Sequence, residues 1–326
     1  MRKRVKIRNA ILICTIFAML LVAIYSGLQI LESTIFPSSE VSAGPSKTIV
    51  REGVEYFPRQ DVTVVMLLGI DQFGPAEGSG FYKNEGTADT VMLLIFDETA
   101  KEYTVLQLNR DTIVDMPVLG LRGEEAGTYR GQLALAHTYG SGLEDSSENV
   151  KNTLMRFIHG LSIDYYVTMR MDAIPILNDA VGGVTVNVVD DFSNVNPEIT
   201  KGEFTLRGDQ ALDFVRTRKD LGDQKNASRM ERQKEYIKNF MAAMNAKSDN
   251  DVGFALDLYD AVSPYIITDC SAETLSSLLD RYETYTLKEV VAPQGDNYVA
   301  GGYFEFHVDE EAFDALILRL FYRPKQ

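Results

Sequence analysis

The feature that most constrains this chain is an uncharged apolar segment from Ala10 to Leu31, which follows a strongly basic start. About 20 consecutive apolar residues in a helix are enough to cross the hydrocarbon core of a bilayer. Basic residues next to such a helix favour the cytoplasmic side of the membrane. We therefore predict a cytoplasmic tail over residues 1–9, one transmembrane helix over residues 10–31, and a C-terminal part on the extracellular side of the cell membrane.

Two alternatives to a retained anchor are a cleaved signal peptide and a lipid-modified cysteine. Val41-Ser42-Ala43 has the small-residue spacing of a cleavage site, but it lies about a dozen residues beyond the apolar segment. Cys14 follows the bulky Ile13, and the apolar segment continues past it. Both observations favour the single-pass anchor.

The charge distribution limits the partners of the part that follows. The formal net charge is −15, and all 47 acidic residues lie after the apolar segment. An acidic surface does not favour nucleic acid, because binding a phosphate backbone needs a surplus of lysine and arginine.

Beyond the apolar segment the only cysteine is Cys270, which excludes an intrachain disulfide there. The histidines and cysteines lack the spacing of zinc ligands, so any metal would be a hard cation bound by carboxylates.

Residues 32–60 contain Ser, Pro and Gly without apolar periodicity, and we interpret them as a tether. Strand and helix patterns alternate from residue 61 onward. This alternation predicts a single α/β domain over 61–326, with a mixed central sheet flanked by helices. The predicted strands are Val62–Ile70, Val91–Phe96, Tyr103–Leu108, Tyr165–Met169 and Gly183–Val189. The predicted helices are Gln132–Tyr139, Glu148–Ile158, Asp172–Ala180, Asp209–Val215, Arg229–Met244, Ala272–Tyr282 and Glu310–Leu320. Pro117 to Gly131, rich in glycine and charge, is predicted to be an exposed loop.

Three aspartates flank the buried strands. Asp71 ends the first strand, Asp89 precedes the second, and Asp111 follows the third. Ligands in open α/β sheets gather at strand ends, where loops converge. The alternative interpretation is that Asp89 and Asp111 are turn or helix-cap residues.

A cationic cluster stands out against the acidic background. Arg216, Arg218, Lys219, Arg229 and Arg232 lie within one short stretch, and Gln233 shares a helical face with Arg229. Guanidinium groups near a helix N-terminus are suited to hold phosphate or pyrophosphate. The alternative is a solvated, charged helix start. Together with carboxylates able to bind Mg²⁺, the cluster indicates phosphoryl transfer.

Seven segments in order resemble the LytR-CpsA-Psr (LCP) family of Gram-positive cell-envelope proteins. They are Met66–Asp71, Ala88–Leu93, Asn109–Thr112, Ile163–Val167, Ala180–Val184, Gly208–Leu212 with Val215–Arg218, and Arg229–Gln233. The resemblance implies a membrane-anchored ligase, or phosphotransferase, that moves a glycopolymer from an undecaprenyl-pyrophosphate carrier to peptidoglycan in cell wall biogenesis.

The resemblance also implies roles for residues. Asp71 and Asp89 match the Mg²⁺-linked acidic positions of the family. The family's pyrophosphate-binding positions are matched by Arg110, Arg216, Arg218, Arg229 and Gln233, and Arg232 of the cationic cluster is added to this set. Asp111 or Asp223 is the expected carboxylate that orients or deprotonates the acceptor hydroxyl, with Arg110 beside it. The spacing to Arg229 leaves the choice between Asp223 and Asp220 open.

One departure from the family pattern leaves alternatives open. The family usually has an arginine two positions before the residue matched by Asp89, and here that position is Thr87. Lys83 or Arg130 could compensate for the missing cation. Two other functions remain, namely a polyprenyl-pyrophosphate-binding module without turnover and a pyrophosphatase that acts on the same lipid.

Overall fold

A computed structural model of the chain describes residues 48–325 except 52, 80–83, 121–122, 218–225, 249–253, 272–273, 275–276, 279–280 and 283. The predicted cytoplasmic tail, the predicted transmembrane helix and most of the tether lie outside the described residues. So does most of the predicted helix Ala272–Tyr282. Among the described helices, none has both the length and the apolar character that a bilayer crossing requires.

The described elements alternate between strands and helices. In chain order they are β1 (Ile49–Arg51), β2 (Val54–Pro58), β3 (Val62–Ile70), β4 (Ala88–Asp97), β5 (Glu102–Leu108), β6 (Ile113–Leu119), β7 (Glu125–Gln132), a 3₁₀ helix (Leu133–Thr138), α1 (Glu144–Phe157), β8 (Tyr165–Arg170), α2 (Ala173–Ala180), β9 (Val184–Val188), β10 (Gly202–Leu206), α3 (Asp209–Arg216), α4 (Asn226–Ser248), α5 (Phe254–Val262), a second 3₁₀ helix (Ser263–Tyr265), β11 (Ile266–Thr268), β12 (Thr286–Val291), β13 (Gly295–Ala300), β14 (Tyr303–Val308), α6 (Glu310–Phe321) and β15 (Tyr322–Pro324).

The chain groups into two compact units. The sheet unit comprises the described residues of 48–72, 76–168 and 287–325, and the helical unit comprises those of 73–75 and 169–286. The sequence predicted one domain over 61–326, and the two units divide that range between them.

A mixed sheet forms the core of the sheet unit, as predicted. Its strands β8, β3, β4, β5 and β12 lie in that order, and β3, β4 and β5 run antiparallel. The backbone N–H of Asp164 donates to the carbonyl of Val64 at 2.9 Å, so β8 and β3 start at the same end and run parallel. Strands β3 and β4 are almost continuously apolar because both of their faces are buried, and Val65, Leu93 and Phe96 are fully inaccessible.

A β-bulge interrupts the pairing of β3 with β4 beside the predicted site. Gly69 pairs with Thr90, but Ile70 pairs with Ala88, so Asp89 is the extra residue. A bulge leaves its extra residue out of the ladder and re-aims its side chain. The local backbone therefore sets the direction of the Asp89 carboxylate.

Helix α6 shows how the sequence defines an element of the sheet unit. The carboxylate of Asp309 accepts a hydrogen bond from the backbone N–H of Ala312 at 3.0 Å and caps the helix. Phe313, Ile317 and Leu320 recur at helical spacing and are buried. The prediction of a helix at Glu310–Leu320 is confirmed to within one residue.

The helical unit is built from α2 to α5 and the β9–β10 hairpin. Helix α4 packs against β9 and α3, and α2 packs against α3 and α5. Gly183 precedes β9 with a φ of +93°, and a Cβ there would lie 2.7 Å from the carbonyl oxygen of Leu206. The close approach of the two hairpin strands therefore requires glycine at this position.

Two predictions about irregular segments are wrong. The predicted loop Pro117–Gly131 is mostly a hairpin, since β6 pairs antiparallel with β7. Strand β7 is exposed along most of its length and contains glycine, so it lacks the apolar alternation that signals a strand. The predicted tether contains β1 and β2, and β2 pairs with β15 near the C-terminus. Such short, half-exposed strands carry little periodicity.

Candidate functional site

The acidic strand ends of the sheet unit are held next to each other by backbone pairing. The backbone N–H of Asp71 donates to the carbonyl of Thr87 at 2.9 Å, just beyond the last pair of β3 and β4. The Thr87 hydroxyl donates to Oδ1 of Asp89 at 3.0 Å. The sheet therefore brings Asp71 and Asp89 to the same end of two adjacent strands, as predicted from the sequence.

Arg110 lies between two aspartates. Its Nη1 forms an ion pair with Oδ1 of Asp89, and its Nε lies 3.6 Å from Oδ1 of Asp111. The three side chains are largely buried, so their charges interact more strongly than they would in water. Arg110 is thereby fixed in one orientation, which is the condition for a cation that stabilises developing negative charge.

Asp111 is more deeply buried than the sequence suggested. Only 1% of the surface of Asp111 is exposed, and its Oδ1 accepts a hydrogen bond from Nε2 of Gln132 at 3.0 Å. The same Gln132 nitrogen donates to the carbonyl of Phe304 at 2.7 Å. A catalytic base must reach the proton of its substrate. The burial of Asp111 favours a positioning role for it, beneath Arg110, over the predicted role as base.

The donor chemistry at the strand ends fits a magnesium ion. Asp71 and Asp89 supply carboxylate oxygens, and Mg²⁺ is commonly held by one or two carboxylates, with water and substrate phosphate completing its shell. The described residues contain no group of three acidic, histidine or cysteine side chains arranged for a metal. Asp89 would share its charge between the metal and Arg110.

The helical unit holds a second group of predicted residues, and Arg232 is the most constrained of them. Its Nε donates to the carbonyl of Phe214 at 2.9 Å, Nη1 pairs with the Asp190 carboxylate at 2.5 Å, and Nη2 donates to the carbonyl of Thr217. The guanidinium carbon also lies 5.7 Å from the ring centre of Phe192. Arg232 thus joins α4 to the C-terminal end of α3. Its predicted contact with pyrophosphate stays a prediction.

Gln233 and Arg229 occupy the same buried helix start. Nε2 of Gln233 donates to the carbonyl of Val215 at 3.1 Å, again at the end of α3. Arg229 is only 3% exposed. A buried guanidinium is costly unless it has charged or polar partners, so an arginine at this position indicates an electrostatic role.

Among the members of the predicted set that the structure describes, Arg216 is the exposed one. Its guanidinium carbon lies 5.5 Å from the ring centre of Phe73, within range of a cation–π contact. Arg216 is the last residue of α3 and lies within the segment 214–217, whose carbonyls accept hydrogen bonds from Arg232 and Gln233. Arg218 and Asp223, the remaining predicted residues, lie outside the described part of the chain.

Two partners of the site were missed from the sequence. Gln132 was assigned to a helix, although its hydrogen bond to Asp111 ties β7 to the site. Asp190 follows β9, and an acidic pair directly after a strand was an available signal. His137, which the sequence favours as a packed or surface residue over a substrate contact, is buried, and its Nδ1 lies 2.8 Å from the carbonyl of Gly86, in the segment that leads to Thr87.

Comparison with known proteins identifies relatives of this chain. The chain matches the LytR_cpsA_psr family over residues 37–320. It is 31% identical over 241 residues to the polyisoprenyl-teichoic acid–peptidoglycan teichoic acid transferase TagU of Oceanobacillus iheyensis, covering 70% of this chain and 65% of that relative, less than two thirds of its length. TagU of Enterococcus faecalis is 29% identical over 251 residues, which is 76% of this chain and 75% of the relative.

A solved structure shares the fold. Protein gbs0355 from Streptococcus agalactiae superposes with a TM-score of 0.65 at 21% identity, over 80% of this chain and 86% of that one. The order of the motifs, the mixed sheet and the match to the family all indicate the same family. This chain is a member of the LytR_cpsA_psr family.

Proposed function

We propose that the protein is a phosphotransferase that moves a glycopolymer from an undecaprenyl-pyrophosphate carrier to peptidoglycan. The observation that carries the proposal is Arg110, fixed between Asp89 and Asp111 at the strand ends of a family member. The names of the relatives support the polymer class, since both are teichoic acid transferases that act on peptidoglycan.

The proposed reaction is a displacement at phosphorus. The acceptor hydroxyl oxygen forms a bond to the phosphorus that carries the glycan, and the bond from that phosphorus to the bridging oxygen breaks. The electron pair leaves with the polyprenyl monophosphate, and the hydroxyl proton passes to a carboxylate. Positioning and charge neutralisation supply most of the catalysis in such transfers.

The residues have separate roles in this proposal. Arg110 neutralises charge on the transferring phosphate, and Asp111 with Gln132 holds Arg110 in place. Asp71 and Asp89 would hold Mg²⁺, which, when bound, offsets charge on the leaving lipid phosphate. Arg216, Arg218 and Arg229 are the proposed further ligands of the pyrophosphate. Because Asp111 is buried, Asp223 is the proposed base.

A non-catalytic binding module is the second candidate, and one observation favours it. Thr87 occupies the position of a family arginine, and its hydroxyl donates a hydrogen bond to Asp89. The site then has one cation fewer to stabilise a transition state, while the ground-state pyrophosphate could still be bound.

The full-length protein in detergent micelles, given a lipid-pyrophosphate-linked glycan, Mg²⁺ and peptidoglycan oligomers, distinguishes these functions. The proposal expects glycan on the oligomers and its loss in Arg110→Ala, with Arg319→Ala as a control at an exposed ion pair. Glycan phosphate released without regard to the acceptor indicates a pyrophosphatase. Saturable donor binding without product indicates the binding module.

We also propose that residues 10–31 anchor the protein in the cell membrane, with the described part outside. Protease added to intact cells should digest the described part and leave the anchored N-terminus. Recovery of the protein in the soluble fraction after cell disruption would contradict this topology.

A further inference from the structure

The β13–β14 hairpin has two faces of different character. Its strands pair antiparallel with Tyr298 opposite Glu305 and Ala300 opposite Tyr303. Side chains that are opposite each other, or two apart on one strand, lie on the same face. The outer face, as we name it, consists of Asp296, Tyr298, Ala300, Tyr303, Glu305 and His307.

The free edge of β14 attaches the hairpin to the strand-end site through its backbone. The backbone N–H of Phe306 donates to the carbonyl of Asp111 at 2.8 Å, and Phe306 is buried. The carbonyl of Phe304 accepts the hydrogen bond from Gln132. The hairpin is therefore joined by hydrogen bonds to the residue that follows Arg110, within the sheet unit.

The outer face displays aromatic rings among hydrogen-bonding groups. Tyr298 and Tyr303 are 53% and 71% exposed. The His307 ring stands nearly perpendicular to Tyr298, at 86° with centroids 5.1 Å apart, and its Nε2 lies 2.8 Å from Oε2 of Glu305. The contacts with Tyr298 and Glu305 orient the His307 ring within the outer face.

We propose that the outer face binds an uncharged N-acetylhexosamine glycan strand, the chemistry of the acceptor. The inference rests on the proposed function for the identity of that acceptor. Tyrosine rings stack against the apolar C–H faces of sugars, and they combine a large apolar surface with a polar end. The carboxylates of Asp296 and Glu305 accept hydrogen bonds from sugar hydroxyls and acetamido N–H groups.

Charge decides between this occupant and two others. A phosphate-rich polymer and an anionic lipid surface would both be repelled by the carboxylates of Asp296 and Glu305. The outer face contains no lysine or arginine to offset them. A neutral glycan meets no such penalty.

Binding can be measured apart from transfer with the full-length protein in detergent micelles. The probe is a peptide-free hexamer of β-1,4-linked N-acetylglucosamine, and calorimetry gives its affinity. Tyr298→Ala and Tyr303→Ala should each weaken binding roughly fivefold. Tyr298→Phe, which keeps the ring, and Phe57→Ala, an exposed aromatic on β2, should bind as the unmodified protein does.

The outcomes separate this inference from the proposed function. Equal binding by the alanine variants and the unmodified protein would overturn the inference. Tyrosine-dependent binding of poly(glycerol phosphate) or of phosphatidylglycerol vesicles, in place of the hexamer, would overturn it as well. If the unmodified protein transfers no glycan but its hexamer binding still depends on Tyr298 and Tyr303, the proposed function fails and the glycan surface stands.

Discussion

Gln132 donates one hydrogen bond to the buried carboxylate of Asp111 at 3.0 Å and a second to the carbonyl of Phe304 at 2.7 Å. One side-chain amide thus connects the site to the β13–β14 hairpin. Replacing it leaves a buried carboxylate with one partner fewer, which costs about 1–3 kcal/mol.

Gln132→Leu, which has a similar volume, should therefore lower the free energy of unfolding by about 2 kcal/mol. Because Asp111 positions Arg110, we also expect kcat of transfer to fall roughly tenfold, with little change in donor affinity. Urea unfolding and steady-state kinetics measure the two effects. Gln60→Leu, at an exposed glutamine between β2 and β3, is the control. A variant that loses stability but keeps its kcat would argue against a positioning role.

Arg110→Lys keeps the charge but not the geometry. A lysine ammonium cannot contact Asp89 and lie beside Asp111 as the two ends of a guanidinium do. Loss of one preorganised donor commonly costs about 10²-fold in kcat, and we expect a decrease of that order here. The same exchange at Arg319, in an exposed ion pair with Glu289, should leave transfer unchanged. Equal rates for Arg110→Lys and the unmodified protein would rule out this role.

Asp71→Asn should raise the Mg²⁺ concentration needed for half-maximal transfer, because one of two proposed carboxylate ligands is lost. A chelator should abolish transfer, and added Mg²⁺ should restore it. A shift of roughly tenfold is expected for the variant, in the range typical of a weakened metal site. Asp314→Asn, at an exposed carboxylate of α6, is a suitable control. Transfer that is indifferent to chelator would remove the metal from the proposal.

Arg232→Ala should destabilise the helical unit. It leaves Asp190 without its cation and frees the carbonyls of Phe214 and Thr217 inside the unit. Removing one partner of a buried pair costs about 3–5 kcal/mol. Lys234→Ala, two residues further along α4 and half exposed, should change stability by less than about 0.5 kcal/mol. Denaturant unfolding monitored by circular dichroism distinguishes the two, and similar midpoints would contradict the assignment.

Acid should weaken the sheet unit through Asp61. The hydrogen bond from Arg59 holds the pKa of this carboxyl well below its usual range, burial opposes the shift, and the Thr99 hydroxyl adds to it. Because the pKa is depressed in the folded state, this stabilisation is present above the unfolded-state value near 3.9 and is lost as the pH falls below it. Asp61→Asn should be less stable at pH 7 by up to about 1 kcal/mol and lose less stability below pH ~4. Urea unfolding across pH tests this, with Asp260→Asn, in α5, as the control.

The parts of the fold that could be predicted from the sequence are those with a strong pattern of apolar residues. Val62–Ile70 was predicted with its observed bounds, because a strand buried on both faces is continuously apolar. The β6–β7 hairpin could not be predicted, since its second strand is almost wholly exposed and held by backbone pairing. Pairing between β2 and β15 joins residues far apart in the chain, and no local pattern reports it.

The site was predicted in part for a related reason. Aspartates at strand ends are visible as polar residues beside apolar segments, so the positions of Asp71, Asp89 and Asp111 at strand ends could be predicted. Whether a charged side chain faces a ligand or a protein carbonyl depends on tertiary contacts. Arg232 illustrates this, because its carbonyl acceptors, Phe214 in α3 and Thr217 just after it, lie 18 and 15 positions earlier in the chain.

The bulge at Asp89 has a consequence for how this family can diverge. The residue at the bulge takes no part in the regular ladder, so the strands on either side keep their register whatever side chain it carries. Substitutions at 89 can therefore alter the chemistry of the site without altering the sheet beneath it. Because Asp89 is also buried and paired with Arg110, we expect the near-isosteric Asp89→Asn to fold with the same strand register while it changes the charge beside Arg110.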